Sequence, residues 1–339
     1  MAVDLLEAVR CAICGSDDFR TARIRAPKDD HAVELGLPGG RSAWVVCVRC
    51  GLVYQSPRPG PEAVEGLYED GGYHATRGGV PEHYIDYSLR RSKDAIAWGL
   101  GHAGLSGPPG AAVDIGCGIG GALVALRERG WGVVGIEPDP ALADVGRQRF
   151  GLEIRTGVLT DESFDEGRQF DLAYSCHVWE HLADPVSTSS TAWRLLHERA
   201  GHLLIVVPTF RHAHTLAWSC FTAPHTYMFT DVTLGNVLRG VGFDVVAHRY
   251  AGGADSELWL LARARARPAG LREWDVDAPA KVQRELMLVP LRMPLGFPRR
   301  VGSHVRTLAA DPADFVRRAI RWGLARGRRV RTALSGRRS

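Results

Sequence analysis

The chain has 339 residues, of which 45% are hydrophobic and 24% are charged, with a formal net charge of +4. This composition is ordinary for a soluble globular protein of two or three small domains, and no apolar run approaches the roughly 18 residues of a membrane span. The acidic first residues lack the basic start of a secretory signal, so we expect a cytoplasmic protein whose seven cysteines are metal ligands or buried thiols.

Two C-x-x-C pairs lie near the start of the chain, Cys11 with Cys14 and Cys47 with Cys50. Each pair can fold into a tight knuckle with both thiolates facing one cation, and two knuckles complete a tetrahedral zinc site. Reduced thiols packed in a core are one alternative. A redox pair is another, but no βαβ pattern surrounds either motif. Because all four ligands come from the protein, we predict a structural zinc in a zinc-ribbon-like module over residues 1–60.

The segment 61–108 connects this module to the rest of the chain. Helical patterns cover 62–68 and 88–100, and a Gly-Pro-rich stretch over 101–110 follows them. The sequence therefore predicts a helical linker ahead of a new domain.

That domain begins with a buried-type strand over 111–115, which runs into alternating glycines and a helix over 122–129. Glycine lets the backbone turn sharply and approach a ligand, and the N–H groups of the first helical turn point at whatever binds there. The next strand, 132–136, ends at Glu137, whose carboxylate can accept hydrogen bonds from both hydroxyls of a ribose. The pattern predicts a ligand cradle.

The glycine spacing alone does not decide which class of cofactor binds, and a nicotinamide cofactor is one of two possibilities. Gly116, Gly118 and Gly121 satisfy the G-x-G-x-x-G pattern of a nicotinamide-binding domain, with Glu137 about 20 residues further on. Asp114 argues against that interpretation, because dinucleotide-binding folds usually keep this strand end apolar.

The stretch from Val113 to Gly120 closely resembles motif I of class I S-adenosylmethionine (SAM) methyltransferases. The resemblance implies that the loop wraps the methionine part of SAM and that Glu137 holds its ribose. It also implies a set of cofactor-binding residues, namely Asp114, Gly116, Cys117, Gly118, Gly120, Glu137, Pro138 and, after a later strand, His177.

Strands alternate with helices from 109 to 265, which predicts an α/β domain with a Rossmann-like, SAM-binding sheet. The helices are expected over 140–150, 185–200 and 231–239, the last with Thr230 as its N-cap. Strands are expected over 152–156, 170–176, 201–208, 243–250 and 257–263, the last two as an antiparallel hairpin.

The loop from Glu180 to Pro185 resembles the Glu-His-Leu-x-Asp-Pro segment of many small-molecule and sugar methyltransferases. It follows the fourth strand, beside the switch point where ligands enter such sheets. His181 has the intrinsic pKa of a general base, with Glu180 placed to orient it or to bind a substrate hydroxyl. A structural histidine at the start of the next helix is the alternative.

Two further resemblances supply candidate substrate contacts. The pattern His-x-x-x-Phe-Thr, which contains His225 and Tyr227, recurs on the lip of the substrate cleft in the same enzymes. The run from Arg49 to Tyr73 resembles methyltransferases with an N-terminal zinc-binding module, which include sugar C-methyltransferases and enzymes of glycan or antibiotic clusters. This implies that segment 61–108 covers the SAM pocket and that Tyr73 and Tyr84 contact cofactor or substrate. Packing of these tyrosines against the core is the alternative.

The sequence thus predicts a SAM-dependent methyltransferase (EC 2.1.1) that transfers a methyl group to a hydroxyl or activated carbon of a small molecule. A sugar, glycan or secondary-metabolite intermediate is the expected acceptor. The alternative is an RNA methyltransferase in which the zinc module and the basic tail grip nucleic acid. The loop after the fourth strand does not match the Asn-Pro-Pro-Tyr type of base N-methylation, which disfavours that alternative.

The C-terminal segment, 266–339, contains several prolines and ends in a basic stretch. After residue 315 it holds nine arginines and no acidic residue, with apolar side chains spaced along one helix face. A basic amphipathic helix can lie on an anionic membrane surface or bind phosphate groups. We therefore expect either peripheral membrane contact, nucleic-acid contact or a solvated terminus. The sequence makes no prediction of oligomeric state.

Overall fold

The computed structural model describes residues 6–69, 79–105, 110–211, 220–251, 257–265 and 274–289. Its N-terminal part consists of short strands and two helices. These are β1 (Leu6–Glu7), β2 (Phe19–Thr21), α1 (Asp30–Glu34), β3 (Trp44–Cys47), β4 (Val53–Gln55), β5 (Arg58–Pro59) and α2 (Pro61–Glu69). Strand β1 pairs with β5, while β2, β3 and β4 form an antiparallel sheet.

A seven-stranded sheet forms the centre of the rest of the chain. The remaining strands are β6 (Ala111–Ile115), β7 (Gly132–Glu137), β8 (Ile154–Thr156), β9 (Leu172–Cys176), β10 (His202–Pro208), β11 (Tyr227–Met228), β12 (Phe243–Ala251) and β13 (Glu257–Ala264). All of these except β11 belong to the central sheet, in the spatial order β12-β13-β10-β9-β6-β7-β8. Strands β6 to β10 run parallel, and β12 and β13 form the antiparallel hairpin at one edge. The predicted Rossmann-like fold is confirmed.

The chain order reverses at β6, which lies between β7 and β9. From β6 the chain builds outward through β7 and β8, and then returns to the other side for β9 and β10. The loops that follow β6 and β9 therefore diverge and leave a crevice at the carboxyl end of the sheet, where open α/β folds bind their ligands. The glycine loop and the loop containing His181 are these two loops.

Six further α-helices follow α2 within the described residues. They are α3 (Glu82–Ala103), α4 (Gly121–Arg127), α5 (Pro140–Phe150), α6 (Pro185–Arg194), α7 (Asp231–Val241) and α8 over 279–289. The Asp139 side chain accepts from the first backbone N–H groups of α5, and Asp184 does the same for α6. Thr230 and Thr233 form a reciprocal capping box at α7, which confirms Thr230 as the N-cap.

One predicted helix is shorter than expected. The pattern over 185–200 predicts a single helix, but α6 ends at Arg194 and a short 3-10 turn over His197–Arg199 follows. The carbonyl of Leu195 accepts the N–H of Phe170, and Ala200 adopts a left-handed conformation that redirects the chain into β10. Pairing with the segment before β9 therefore ends the helix, a tertiary effect that the local pattern does not contain.

The N-terminal module packs directly on the catalytic half. Strand β11 pairs with β4, so the segment that carries His225 is hydrogen bonded to the module. The side chain of Gln55 also donates to the backbone carbonyls of Thr222, Ala223 and His225. Helix α8 closes the other face of the module, where its apolar residues pack against Trp44 and Val46. Within the described residues, no helix is long and apolar enough to cross a membrane.

Candidate active site and cysteine cluster

The glycine loop after β6 has the backbone that its sequence predicts. Gly116, Gly118 and Gly120 all have positive φ, at 71°, 55° and 83°. A Cβ on Gly116 would lie 2.3 Å from the Val178 side chain, and a Cβ on Gly120 would lie 2.3 Å from Leu152. Both positions therefore require glycine on grounds of space as well as backbone conformation. The loop brings its backbone close to the cavity below it.

Glu137 lies at the end of β7, directly beside this loop. Its Oε2 accepts the N–H of Gly118 at 2.7 Å, and its Oε1 accepts the N–H of Asp139 at 2.9 Å. Burial raises the pKa of Glu137 to about 7, although the two N–H donors work in the opposite direction. Each carboxylate oxygen keeps a second lone pair, and the residue lines the cavity. The carboxylate can therefore accept two hydroxyl donors from a ligand.

Asp114 is a second buried carboxyl group in the cavity wall. Its Oδ1 has no hydrogen-bond partner among the described residues, and burial together with the charge of Glu137 raises its pKa well above the ordinary value. A buried polar atom without a partner is uncommon in folded proteins, and it fits a site that a polar ligand completes. Glycine loop, Glu137 and Asp114 together fit the polar groups of SAM, namely a ribose and an amino acid.

The loops after β6 and β9 face each other across one cavity of about 910 Å³. Its lining includes Gly116, Glu137 and Pro138 on one side and His177, His181 and His225 on the other. This volume is within the range of small-molecule and cofactor sites. The sequence-predicted cofactor residues and histidines therefore share one chamber.

His177 follows β9 in a left-handed conformation, with φ of 59°, which is rare outside glycine. Its Nδ1 lies 3.2 Å from Glu180 Oε1, and its Nε2 lies 3.1 Å from Glu257 Oε1. Burial and Arg91 would each lower the pKa of His177, but the two carboxylates raise it overall. Held between two carboxylates, this imidazole is a fixed part of the cavity wall.

Glu180, His181 and His225 form a compact group next to His177. Glu180 is 1% exposed, and neither of its carboxylate oxygens accepts a hydrogen bond from the described residues. His181 Nε2 lies 3.7 Å from Glu180 Oε1, and the rings of His181 and His225 are perpendicular with centroids 4.6 Å apart. Burial and the neighbouring His225 lower the pKa of His181 to about 3. Burial also lowers the pKa of His225.

Both imidazoles are held by backbone carbonyls. His181 Nδ1 lies 3.1 Å from the carbonyl of Pro224, and His225 Nδ1 lies 2.6 Å from the carbonyl of Cys220. A carbonyl only accepts, so each Nδ1 carries the proton and each Nε2 carries a lone pair. Burial would raise the pKa of Glu180, but the contact with His177 lowers it overall. The group therefore combines an ionised carboxylate with two neutral histidines.

The remaining predicted residues divide between the cavity and the core. Cys117 and Tyr84 line the cavity, whereas Gly120 faces Leu152 and serves as the N-cap of α4. Tyr227 does not lie in the cavity lining. It pairs with β4, stacks on Phe229 and donates its hydroxyl to the carbonyl of Ala183, so its aromatic ring belongs to the core. Tyr73 lies outside the described residues.

Arg91 and His31 line the cavity and Glu257 lies beside it, and none of the three was predicted as a site residue from the sequence. Arg91, from α3, donates to Glu257 Oε1 at 2.6 Å and also contacts the ring of His177. Glu257 begins β13, and His31 reaches the cavity from α1 of the N-terminal module. An arginine inside a helix and a glutamate at a strand end carry no motif, so only the tertiary structure brings them to the site.

The four cysteines of the paired knuckles lie together. Cys11 Sγ is 3.4 Å from Cys50 Sγ, Cys14 Sγ is 3.5 Å from Cys47 Sγ, and all four sulfurs lie within 4.8 Å of one another. The sulfurs around a tetrahedral zinc lie about 3.8 Å apart. Four thiols at this spacing, with no disulfide between them, have the donor set and the geometry of a closed zinc site.

Comparison with known proteins finds a matching domain family and related sequences. Residues 83–248 match the methyltransferase domain family. An uncharacterised methyltransferase from Synechocystis is 31% identical over 155 residues, which cover 42% of this chain and 71% of that protein. A ubiquinone biosynthesis O-methyltransferase from Ruegeria is 34% identical over 115 residues, covering 33% of this chain and 46% of the relative.

Solved structures show lower similarity. The 1,6-didemethyltoxoflavin-N1-methyltransferase of Burkholderia thailandensis, with bound 1,6-didemethyltoxoflavin and S-adenosylhomocysteine, is 19% identical with a TM-score of 0.47. The match covers 63% of this chain and 96% of that one. The magnesium protoporphyrin IX methyltransferase of Synechocystis, with S-adenosylhomocysteine, is 16% identical with a TM-score of 0.46, covering 60% and 100%. The domain match, the Synechocystis relative and the sheet order agree that the chain belongs to the class I SAM-dependent methyltransferase family.

Proposed function

We propose that the protein transfers the methyl group of SAM to a hydroxyl or activated carbon of a small molecule. The observation that carries the proposal is the single cavity in which the glycine loop and Glu137 face His181 and His225. A cofactor site and a proton-accepting group must share one chamber for such a transfer. The acceptor class, a sugar, glycan or secondary-metabolite intermediate, comes from the sequence resemblance to enzymes of that kind.

The cofactor is assigned to the side of the cavity formed by the loop after β6. Bound SAM supplies a methyl group already activated by its sulfonium, so positioning of the acceptor provides much of the acceleration. Glu137 accepts hydrogen bonds from the two ribose hydroxyls, and Asp114 accepts a hydrogen bond from the amino group. The backbone of Gly116 and Gly118 encloses the methionine part. Cys117, Pro138 and His177 complete the wall, as the cavity lining supports.

His181 is assigned as the general base. Its Nδ1 is held by the carbonyl of Pro224, which leaves the Nε2 lone pair as the proton acceptor. The pKa of about 3 keeps this nitrogen unprotonated at neutral pH, while the buried carboxylate of Glu180 stabilises the imidazolium that forms during transfer. Glu180 acts as a positioning residue, and His225 and Tyr84 are the residues that contact the acceptor.

The N-terminal module is assigned a structural zinc on Cys11, Cys14, Cys47 and Cys50. All four positions of a tetrahedral ion are then filled by thiolates, so the metal contributes to folding rather than to chemistry. The module in turn holds the segment that carries His225, through the pairing of β4 with β11. Residues 1–60, 61–108 and 109–265 thus act as zinc module, cover and catalytic domain.

A small acceptor is favoured over RNA by the cavity itself, whose lining holds three carboxylates and one arginine. The arginine-rich end of the chain, on which an RNA or membrane role depends, lies outside the described residues. The direct test is a screen of nucleotide sugars and glycan precursors with methyl-labelled SAM, with structured RNA in parallel. Label in a sugar and none in RNA is the expected result; label in RNA alone would refute the acceptor class.

A further inference from the structure

The group formed by Glu180, His181 and His225 has a feature that general-base catalysis does not require. One ligand atom from each of the three residues lies within 4.8 Å of the other two. Glu180 Oε2 has no hydrogen-bond partner within the described residues, although the side chain is 1% exposed. A buried carboxyl oxygen without a hydrogen-bond partner is uncommon in folded proteins, and it fits a site that a cation or a donor completes.

His177 supplies only part of the compensation. It lies against Oε1 of Glu180 and is shared with Glu257, so one imidazole serves two carboxylates. Arg91 is also committed to Glu257. The side of Glu180 that faces His181 and His225 thus meets ring nitrogens whose lone pairs repel a carboxylate.

The tautomers of His181 and His225 are those of metal-binding histidines. Histidines that bind metals usually donate their other ring N–H to a backbone carbonyl or carboxylate, which fixes the ring and directs the second nitrogen at the ion. His181 donates Nδ1–H to the carbonyl of Pro224, and His225 donates Nδ1–H to the carbonyl of Cys220. Two independent backbone contacts impose the same tautomer.

We infer that Glu180, His181 and His225 form a site for one divalent transition-metal ion of the zinc class. Two imidazoles and one carboxylate are ligands that such ions prefer, and this set leaves a coordination position open for an oxygen of water or substrate. The open side faces the cavity, which His181 and His225 line. Magnesium is disfavoured because two of the three ligands are imidazole nitrogens.

The geometry needs only a small adjustment. Ligand atoms at 2.0–2.1 Å from a tetrahedral ion lie about 3.4 Å apart. His181 Nε2 and Glu180 Oε1 are already 3.7 Å apart. The widest pair, within 4.8 Å, must therefore close by at most about 1.4 Å. Rotation of side chains provides this without movement of the sheet.

The ion and a transferred proton compete for the same Nε2 lone pair of His181. Ion binding therefore blocks the base assigned above, and only this regulatory consequence rests on the proposed function. The site itself is independent of SAM and of the acceptor, so it can be tested in their absence.

The test is titration of the full-length protein, with zinc in its cysteine cluster, with Co²⁺ alone. We expect one further equivalent to bind, with visible absorption but without the intense near-ultraviolet band of cobalt–thiolate bonds. Glu180→Gln and His225→Gln should each weaken this binding by at least about 100-fold, more than the loss of an outer-shell partner. His202→Gln is the matched control, because His202 and His225 are both 7% exposed and His202 lies in β10.

Three results would overturn the site. They are no further equivalent at millimolar Co²⁺, a further equivalent that shows the thiolate band, or equal binding in Glu180→Gln, His225→Gln and the control. The first two need only the parent protein, so they remain decisive if a variant fails to fold. SAM affinity of the parent, measured separately by calorimetry, reports on the proposed function and not on the ion.

Discussion

Replacing Glu137 by alanine should weaken cofactor binding strongly. Its carboxylate already accepts the N–H groups of Gly118 and Asp139, and its remaining lone pairs line the cavity. Two ribose hydroxyls donating to this charged group would contribute about 1.5–3 kcal/mol each. Their loss corresponds to an affinity lower by roughly 10²–10⁴-fold. Calorimetry with S-adenosylhomocysteine, the stable product, measures this loss of affinity.

The pKa of Glu137 also predicts that cofactor affinity depends on pH. The pKa of Glu137 is raised to about 7 by burial, and the ribose needs the ionised form. Affinity should therefore fall as pH falls through 7, by about tenfold between pH 8 and pH 6, because one carboxyl in ten is ionised one unit below its pKa. The stability of the unliganded protein has the opposite pH dependence and decreases as pH rises. The folded-state pKa lies above the ordinary 4.5, so this carboxyl costs stability as pH rises from 4.5 to 7.

The control for both effects is Glu128→Ala, which removes a carboxylate exposed at the end of α4. It should change neither the affinity nor the pH slope. If Glu137→Ala bound S-adenosylhomocysteine as the parent does, with the same slope between pH 6 and pH 8, the assignment of the ribose to this residue would be wrong.

His181→Ala should slow the single-turnover rate by about 10²–10⁴-fold with little change in SAM affinity, whereas a rate within about threefold of the parent would retire the base assignment. Cys47→Ser should lose the tightly held zinc and much of the folding stability, as metal analysis and thermal melting would show. The control Cys117→Ser should keep the metal. Zinc retained in Cys47→Ser would contradict the assignment of the metal to the cysteine cluster. Arg211 bridges Asp231, Asp277 and Glu285. Arg211→Ala should therefore cost about 3–5 kcal/mol in denaturant unfolding, as removing one partner of a buried ion network does. An Arg149→Ala control should leave stability nearly unchanged, and equal losses in the two variants would refute the role of the network.

Short-range pattern was enough to predict the catalytic sheet. Strand β6, the glycines and the helix after them are adjacent in sequence, and their geometry follows from glycine backbone freedom and helix-terminus chemistry. Glu137 was predictable because parallel strands end at the same edge of a sheet. Helix α5, from Pro140 to Phe150, agrees residue for residue because proline at its first turn and Gly151 after it fix both ends locally.

The departures have a common physical cause, which is contact between distant segments. Tyr227 sits two residues from His225, but pairing with Tyr54 turns its side chain into the core while His225 lines the cavity. His225 lies in the loop before β11, so the strand pairing that directs Tyr227 into the core does not fix the direction of the His225 side chain. Arg91 and Glu257 lie 166 residues apart and meet only because α3 and β13 both border β10. Such pairs leave no local signal.

The most direct test of the account is a crystal structure of the protein with S-adenosylhomocysteine. We predict one molecule per chain, with its ribose hydroxyls on Glu137, its amino group near Asp114, and its sulfur directed across the cavity toward His181. The loop from Gly116 to Gly120 should keep its positive φ angles. Nucleoside bound elsewhere, or a sulfur turned away from the histidines, would contradict the claim that this cavity joins cofactor and acceptor.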